Sequence, residues 1–257
     1  MRLSRFPLSA VAVIALLAAS AHSAGAQDEI TFIAPNILRA PIEQIIPGFE
    51  AKTGHKVKAT FGAEAGTRQQ ILKGEAFDVP VVEAPDADAI ASGNVVASTK
   101  TEFANVSIGV AVRKGAPKPD ISSPEAVKRA LLAAKSISFP DPSGGAAAGI
   151  TVQDALKKLG ILDQLQPKIK PSQGGARAMA MVASGEAEIG MTFVNAMTDP
   201  GIDVVGSLPR EVSTPTVFVG FVSTHAKDPA AAKEFLAYLS SPEAAAAFKA
   251  QKLQPGP

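Results

Sequence analysis

Four stretches of small and amide residues stand where an apolar run gives way to a helical pattern: Ala34 to Asn36, Gly62 to Thr67, Ser143 to Gly149 and Gly174 to Ala176. Each exposes backbone N–H groups at a helix start. In open α/β sheets such junctions lie at the carboxyl ends of strands, where free donors and the positive helix end favour an anion. Any one of them also reads as a tight βα turn, but four on one chain point to an anion clamp. Arg68 and Arg177 fall in the first turns of the helices that follow, where a cation is disfavoured by roughly 0.3–1 kcal/mol. A bound anion would offset that cost; a solvated arginine is the plain alternative. Arg177, directly after Gly174-Gly175-Ala176, is the mobile positive charge best placed for a ligand. Asn36 either offers its amide to that ligand or caps its helix.

Other chemistries find few residues. Beyond His22 the chain holds only His55 and His225, and it shows no H-E-x-x-H, G-x-S-x-G or Walker A pattern. Asp141 and Ser143 could be imagined as acid and nucleophile, yet Asp-Pro-Ser-Gly-Gly more naturally folds as a capped turn. The expectation is no catalytic residue and no enzyme. Carboxylates are scattered and Tyr238 is the single tyrosine, so no metal site or cofactor is expected. Cysteine is absent, which removes thiol nucleophiles, disulfides and metal thiolates.

The positioning elements follow from periodicity. Ile30 to Ile33, Lys56 to Phe61, Asp78 to Glu83, Ile108 to Val112, Ser136 to Phe139, Lys168 to Lys170, Ile189 to Phe193, Val204-Val205 and Val217 to Val222 read as strands. Helices alternate with them: Ile42, Ile45, Ile46 and Phe49 share one face before Gly54, with Pro47 as a possible kink. Further helices cover Thr67 to Lys73, Asp86 to Ala91, Thr151 to Leu159, a stretch through Val182 that Gly174-Gly175 precedes, Ala230 to Leu239 and Glu243 to Lys252. Ser123-Pro124 and Ser241-Pro242 are cap-plus-proline starts. Strands alternating with helices imply βαβ units around largely parallel sheets.

The chain has 257 residues, 46% hydrophobic and 19% charged, with 25 basic against 24 acidic side chains. A globular protein with no nucleic-acid partner is expected, because no basic run interleaves with aromatics. Arg2 and Arg5, the apolar Val11 to Ala19 and Ala24-Gly25-Ala26 read as a cleavable secretory leader over residues 1–26. Its apolar core is too short to span a bilayer, so the expectation is an exported, soluble protein.

Phe49 to Gly54, Gln69 to Val79, Phe139 to Pro142 with Ala148-Gly149, Leu159-Gly160 and Val182 to Gly190 occur in an order that resembles the periplasmic solute-binding proteins of ABC importers. The resemblance is greatest to the molybdate-binding family and covers nearly all of the chain after the leader. It implies two α/β lobes, each a mostly parallel sheet flanked by helices, with the ligand in the cleft between them. Residues 27–107 and 215–257 would form the first lobe and 108–214 the second, with crossovers near Ser107 to Val112 and Thr214 to Phe218. It further implies a monomer in the periplasm, a small anionic ligand and a permease partner in the inner membrane.

Carried over position by position, the family's oxyanion contacts change here. Its first-strand serine corresponds to Asn36, its second-loop serine to Glu64 or Ala65, and its tyrosine donor to Phe193. Backbone donors near Ala148 and Gly175 are kept. Hydrogen bonds to a buried charge are worth roughly 1.5–3 kcal/mol each, so three lost hydroxyls weaken the case for molybdate or tungstate. Glu64 would repel a dianion if it pointed inward, whereas Thr67, Ser143 and Arg177 could hold a carboxylate. An organic acid is therefore the competing ligand, and presenting a ligand to a sensor is the competing role.

Overall fold

The computed structural model describes residues 29–256; the leader segments lie outside them. The chain opens with β1 (Ile30–Pro35), a 3-10 turn (Asn36–Leu38), α1 (Arg39–Thr53), β2 (Val57–Gly62), α2 (Glu64–Leu72), β3 (Val79–Glu83), α3 (Ala87–Ala91) and β4 (Thr101–Val106). After Ser107 come β5 (Ile108–Arg113), α4 (Pro124–Ala133), β6 (Ile137–Pro140), α5 (Ala147–Lys158), α6 (Leu162–Leu165), β7 (Ile169–Ser172), α7 (Gly175–Ser184), β8 (Ile189–Phe193) and β9 (Ile202–Ser207). It closes with β10 (Thr216–Gly220), α8 (Pro229–Tyr238), α9 (Pro242–Ala250) and β11 (Gln254–Pro255).

Two sheets result, ordered β11-β4-β10-β3-β1-β2 and β7-β6-β8-β5-β9. The two-sheet α/β architecture is the expected one, and both sheets are mixed. Parallel pairing is confined to β2-β1-β3 and β7-β6-β8, the βαβ units; β4, β10 and β11, like β5 and β9, pair antiparallel. The reason lies in the crossovers. β4 and β5 are separated by Ser107 alone, so the chain leaves one sheet and enters the other along one edge direction, and it returns through residues 208–215.

Local chemistry accounts for most elements. In α1, Ile42, Ile45 and Phe49 are buried on one face, and Gly54 ends the helix at φ 83°, its N–H donating to the Glu50 carbonyl at 2.8 Å. Pro47 lies on the exposed side, and the helix runs through it without a break. Ser123, Asp228 and Ser241 cap α4, α8 and α9 through their side chains. Phe32, Phe49 and Phe235 meet beneath the first sheet, with Phe32 and Phe235 edge to face at 5.6 Å. Buried Asp78 ties β1 to the segment before α8, accepting from Thr31 N at 2.7 Å, Thr31 Oγ1 at 2.6 Å and Lys227 N at 2.7 Å.

Two helices begin about a turn earlier than periodicity suggests: α2 at Glu64 rather than Thr67, and α5 at Ala147 rather than Thr151. Small residues there are helical because space is short. A Cβ on Gly149 would collide with the Pro140 carbonyl, so glycine lets α5 dock on the end of β6.

Candidate functional site

A cleft of about 530 Å³ lies between the two sheets. Pro35 at the end of β1, Gly62 at the end of β2 and Glu83 at the end of β3 face it from one side. Pro140 ends β6 and Thr192 and Phe193 end β8 on the other. These are carboxyl ends of strands, where open α/β sheets bind ligands.

Three helices and a 3-10 turn start at this cleft. The N-terminal residues of α2, α5 and α7, and the 3-10 turn leading into α1, border the cleft, and none has a side-chain cap. The capped helices α4, α8 and α9 start elsewhere. First-turn N–H groups have no acceptor within their own helix, so the starts of α5 and α7 aim backbone donors and positive dipole ends into the cleft. Gly175 permits this on the α7 side, because a Cβ there would run into Thr192 Oγ1.

Of the sequence-derived candidates, Asn36, Ala148, Gly175 and Phe193 line the cleft. Asn36 caps nothing; its Oδ1 accepts from Arg39 Nη2 at 3.3 Å, which leaves its amide donors over. Ala65, Thr67, Ser143 and Arg177 are not among the lining residues. Ala65 sits at the mouth, 3.9 Å from where a Cβ on Gly145 would be. Thr67 is buried and turns its hydroxyl back to the Glu64 carbonyl at 3.0 Å. Ser143 N donates to Asp141 Oδ1 at 2.9 Å beside a separate cavity of about 290 Å³. Its backbone and side-chain hydrogen bonds hold the Asp141 carboxyl below its ordinary range, so this pair is a capped turn rather than an acid and a nucleophile. Arg177 is turned to the surface, where Nη2 pairs with Glu186 Oε2 at 3.2 Å. Residues 175 and 177 are two apart on a helix, about 200° in projection, so they cannot both face the cleft.

Sequence reasoning passed over Glu83, Thr192 and Asn195, all of which line the cleft. The available signal was a glutamate ending an otherwise apolar buried strand. Glu83 is 8% exposed, and its carboxyl accepts no hydrogen bond among the described residues. Asn195 Oδ1 is buried without a partner. Glu64 also lines the cleft, at the first position of α2.

Arg68 organises this wall from behind. Its Nε lies 3.1 Å from Glu64 Oε1 and its Nη1 3.0 Å from Asp88 Oδ1, while Nη2 donates to the carbonyls of Glu83 at 2.8 Å and Pro85 at 2.6 Å. Burial raises the pKa of Glu64 despite this cation, with Asp88 adding to the rise. Burial, reinforced by the charge of Glu64 and opposed by Arg68, pushes Glu83 up to about 8. Glu83 is thus protonated at neutral pH and can donate. None of the cleft-lining residues is a lysine, arginine or histidine. Among the described residues no cluster of three or more metal-ligating side chains occurs, and no helix is long and apolar enough to cross a membrane.

The comparisons with known proteins agree with this architecture. The chain is 31% identical to an aconitate isomerase from a Pseudomonas species, over 98% of both chains. It is 29% identical to the molybdate-binding protein ModA of Azotobacter vinelandii, over 91% of this chain and 92% of that one. A substrate-binding domain assigned to a molybdenum ABC transporter of Clostridium difficile superposes with a TM-score of 0.77 at 19% identity, covering 89% of this chain and 99% of that one. The bacterial extracellular solute-binding protein family matches residues 30–251, nearly the whole described chain, and the protein belongs to that family.

Proposed function

We propose that the protein is a periplasmic receptor that closes on a small organic carboxylate and hands it to an ABC permease in the inner membrane. The observation that carries this reading is the make-up of the cleft: uncapped helix starts as donors, the carboxyls of Glu64 and Glu83 on its wall, and apolar surface from Ile37 and Phe193. A tetrahedral dianion such as molybdate would meet the Glu64 carboxyl and no cationic side chain on the lining of the cleft, Arg68 lying behind the wall. An organic acid can place its carboxylates on the helix starts, accept a hydrogen bond from protonated Glu83 and lay its carbon skeleton on the apolar wall. The aconitate isomerase relative supports a carboxylate over an oxyanion. Residues 29–107 with 215–256 would move against 108–214 as two lobes about Ser107 and the 208–215 return, with the closed state favoured because the ligand touches both.

A thermal-shift panel of cis- and trans-aconitate, citrate, tricarballylate, molybdate and sulfate tests the reading. Ligand at 100 times its Kd stabilises by about 2.7 kcal/mol. A shift with the tricarboxylates and none with molybdate is expected; a shift with molybdate alone overturns the carboxylate assignment. The second reading, catalysis, is favoured by the isomerase relative and by a protonatable carboxyl inside the cleft.

A further inference from the structure

Glu83 is hard to explain in a receptor that only captures anions. A carboxyl at the wall of an anion site repels its own ligand whenever it ionises, and burial without hydrogen bonds is costly in either state. Yet Glu83 closes β3 with more than nine-tenths of its surface covered, opens onto the cleft, and makes no hydrogen bond through its carboxyl among the described residues. Its main chain is the part that is gripped, by Arg68 at 2.8 Å. The carboxyl is thereby positioned from behind while its oxygens stay available in front. Asn195 repeats the pattern across the cleft, with Oδ1 buried and unpaired. Two oriented polar groups that lack protein partners, on opposite walls of one cavity, point to a bound molecule as the missing partner.

We infer that Glu83 is a catalytic acid–base residue that moves a proton between two carbons of a bound unsaturated carboxylate, shifting its double bond. The inference rests on the organic-carboxylate reading above and names the substrate class: an alkene with a methylene group between the double bond and a carboxylate. In its ionised form Glu83 takes one methylene proton. The C–H electron pair becomes the new carbon–carbon π bond, and the old π pair moves to the far alkene carbon. That carbon receives the proton back from the Glu83 carboxylic acid. Atoms and charge are conserved, and no oxidant, reductant or second substrate enters. For a propene tricarboxylate the shift regenerates the same skeleton with the double bond on the other arm, so cis and trans isomers interconvert.

The surroundings suit each part of this step. Charge that spreads onto the substrate carboxylates in the intermediate meets the N–H groups at the starts of α5 and α7, the kind of fixed donor that stabilises an oxyanion. A carboxyl titrating near 8 is poised close to neutral pH, where one group can both accept and return a proton. Glu64, held by Arg68 and facing the same cleft, lies beside it as a fixed acidic neighbour.

The test uses the full chain with cis- and trans-aconitate as probes, titration calorimetry for binding, and proton NMR in D2O for loss of the methylene signal and appearance of the other isomer. The wild type is expected to bind at least one isomer and to exchange and isomerise it. Glu83→Gln, nearly isosteric, should bind within about threefold and exchange at least about 100-fold more slowly. Glu83→Asp, which keeps a carboxyl one methylene short, should fall between them and guards against a folding defect in the glutamine variant. Binding without exchange in the wild type overturns the catalytic inference and leaves the receptor reading standing. Undiminished exchange in both variants removes Glu83 from the chemistry, and failure to bind either isomer overturns the substrate class together with this step.

Discussion

Arg68 holds Glu83 by its main chain and not by its carboxyl: Nη2 donates to the Glu83 carbonyl at 2.8 Å while Nε pairs with Glu64 Oε1 at 3.1 Å. One guanidinium therefore fixes both acidic walls of the cleft and is also the influence that lowers both their pKa values. With the Arg68 side chain 18% exposed, Arg68→Ala strands Glu64 in a half-buried site and frees the turn at Pro85. The expected loss is about 2–4 kcal/mol in urea unfolding, with both carboxyls titrating higher. A loss under about 0.5 kcal/mol would mean that water replaces the arginine without cost.

Glu83 gives stability a pH dependence of predictable sign. Its carboxyl titrates near 8 in the folded protein against an ordinary 4.5. Between these values the folded state keeps a proton that the unfolded chain has released. Its contribution is therefore fully present below about 4.5 and is lost as pH rises towards and through about 8, by on the order of 1 kcal/mol per pH unit at most. Glu83→Gln should flatten this decline, leaving stability at pH 5 little changed and raising it at pH 9. Chemical denaturation of both proteins at pH 5, 7 and 9 checks it, and parallel curves would show that Glu83 ionises normally.

Arg177 is expected to be irrelevant to binding. It is exposed and paired with Glu186 at 3.2 Å on the side of α7 away from the cleft. Arg177→Ala should change affinity less than twofold by calorimetry, and stability by less than about 1 kcal/mol, as for other surface pairs. A tenfold loss of affinity would require α7 to rotate on binding.

Gly175 should be intolerant of any side chain. A Cβ would meet Thr192 Oγ1 and lie 3.0 Å from Ala196 Cβ, so α7 would have to lift from β8. Gly175→Ala is expected to cost about 1–3 kcal/mol and, by shifting the donors, to weaken ligand binding at least tenfold. Gly144→Ala is the control, since nothing lies within 4 Å of its Cβ position and its φ is not positive. Equal melting temperatures and affinities for the two variants would contradict the close packing of α7 on β8.

Short-range chemistry made much of this protein readable from its sequence. Ser123, Ser241 and Gly54 end or begin helices through bonds to residues three or four away, and the buried runs at Ile30, Val79 and Ile189 announce strands by apolar content alone. The junctions that border the cleft were likewise legible, because uncapped starts rich in small residues are a local property. The direction of each side chain at those junctions was not. Gly175 and Arg177 differ in facing because of helical rotation once α7 is seated on β8, and α2 starts early enough to put Glu64 rather than Thr67 at the wall. β4 and β11, which no local pattern marked, are strands by distant pairing: β4 lies against β10, with Thr216 opposite Val106, and β11 against β4, with Gln254 opposite Asn105. Glu83 shows the same limit most sharply. Its residue type and its place at the end of a strand are in the sequence, but its burial comes from β10 laid antiparallel against β3 and its available oxygens from the cleft beyond. A carboxyl's protonation state follows from what surrounds it, and those surroundings are assembled only when distant segments meet.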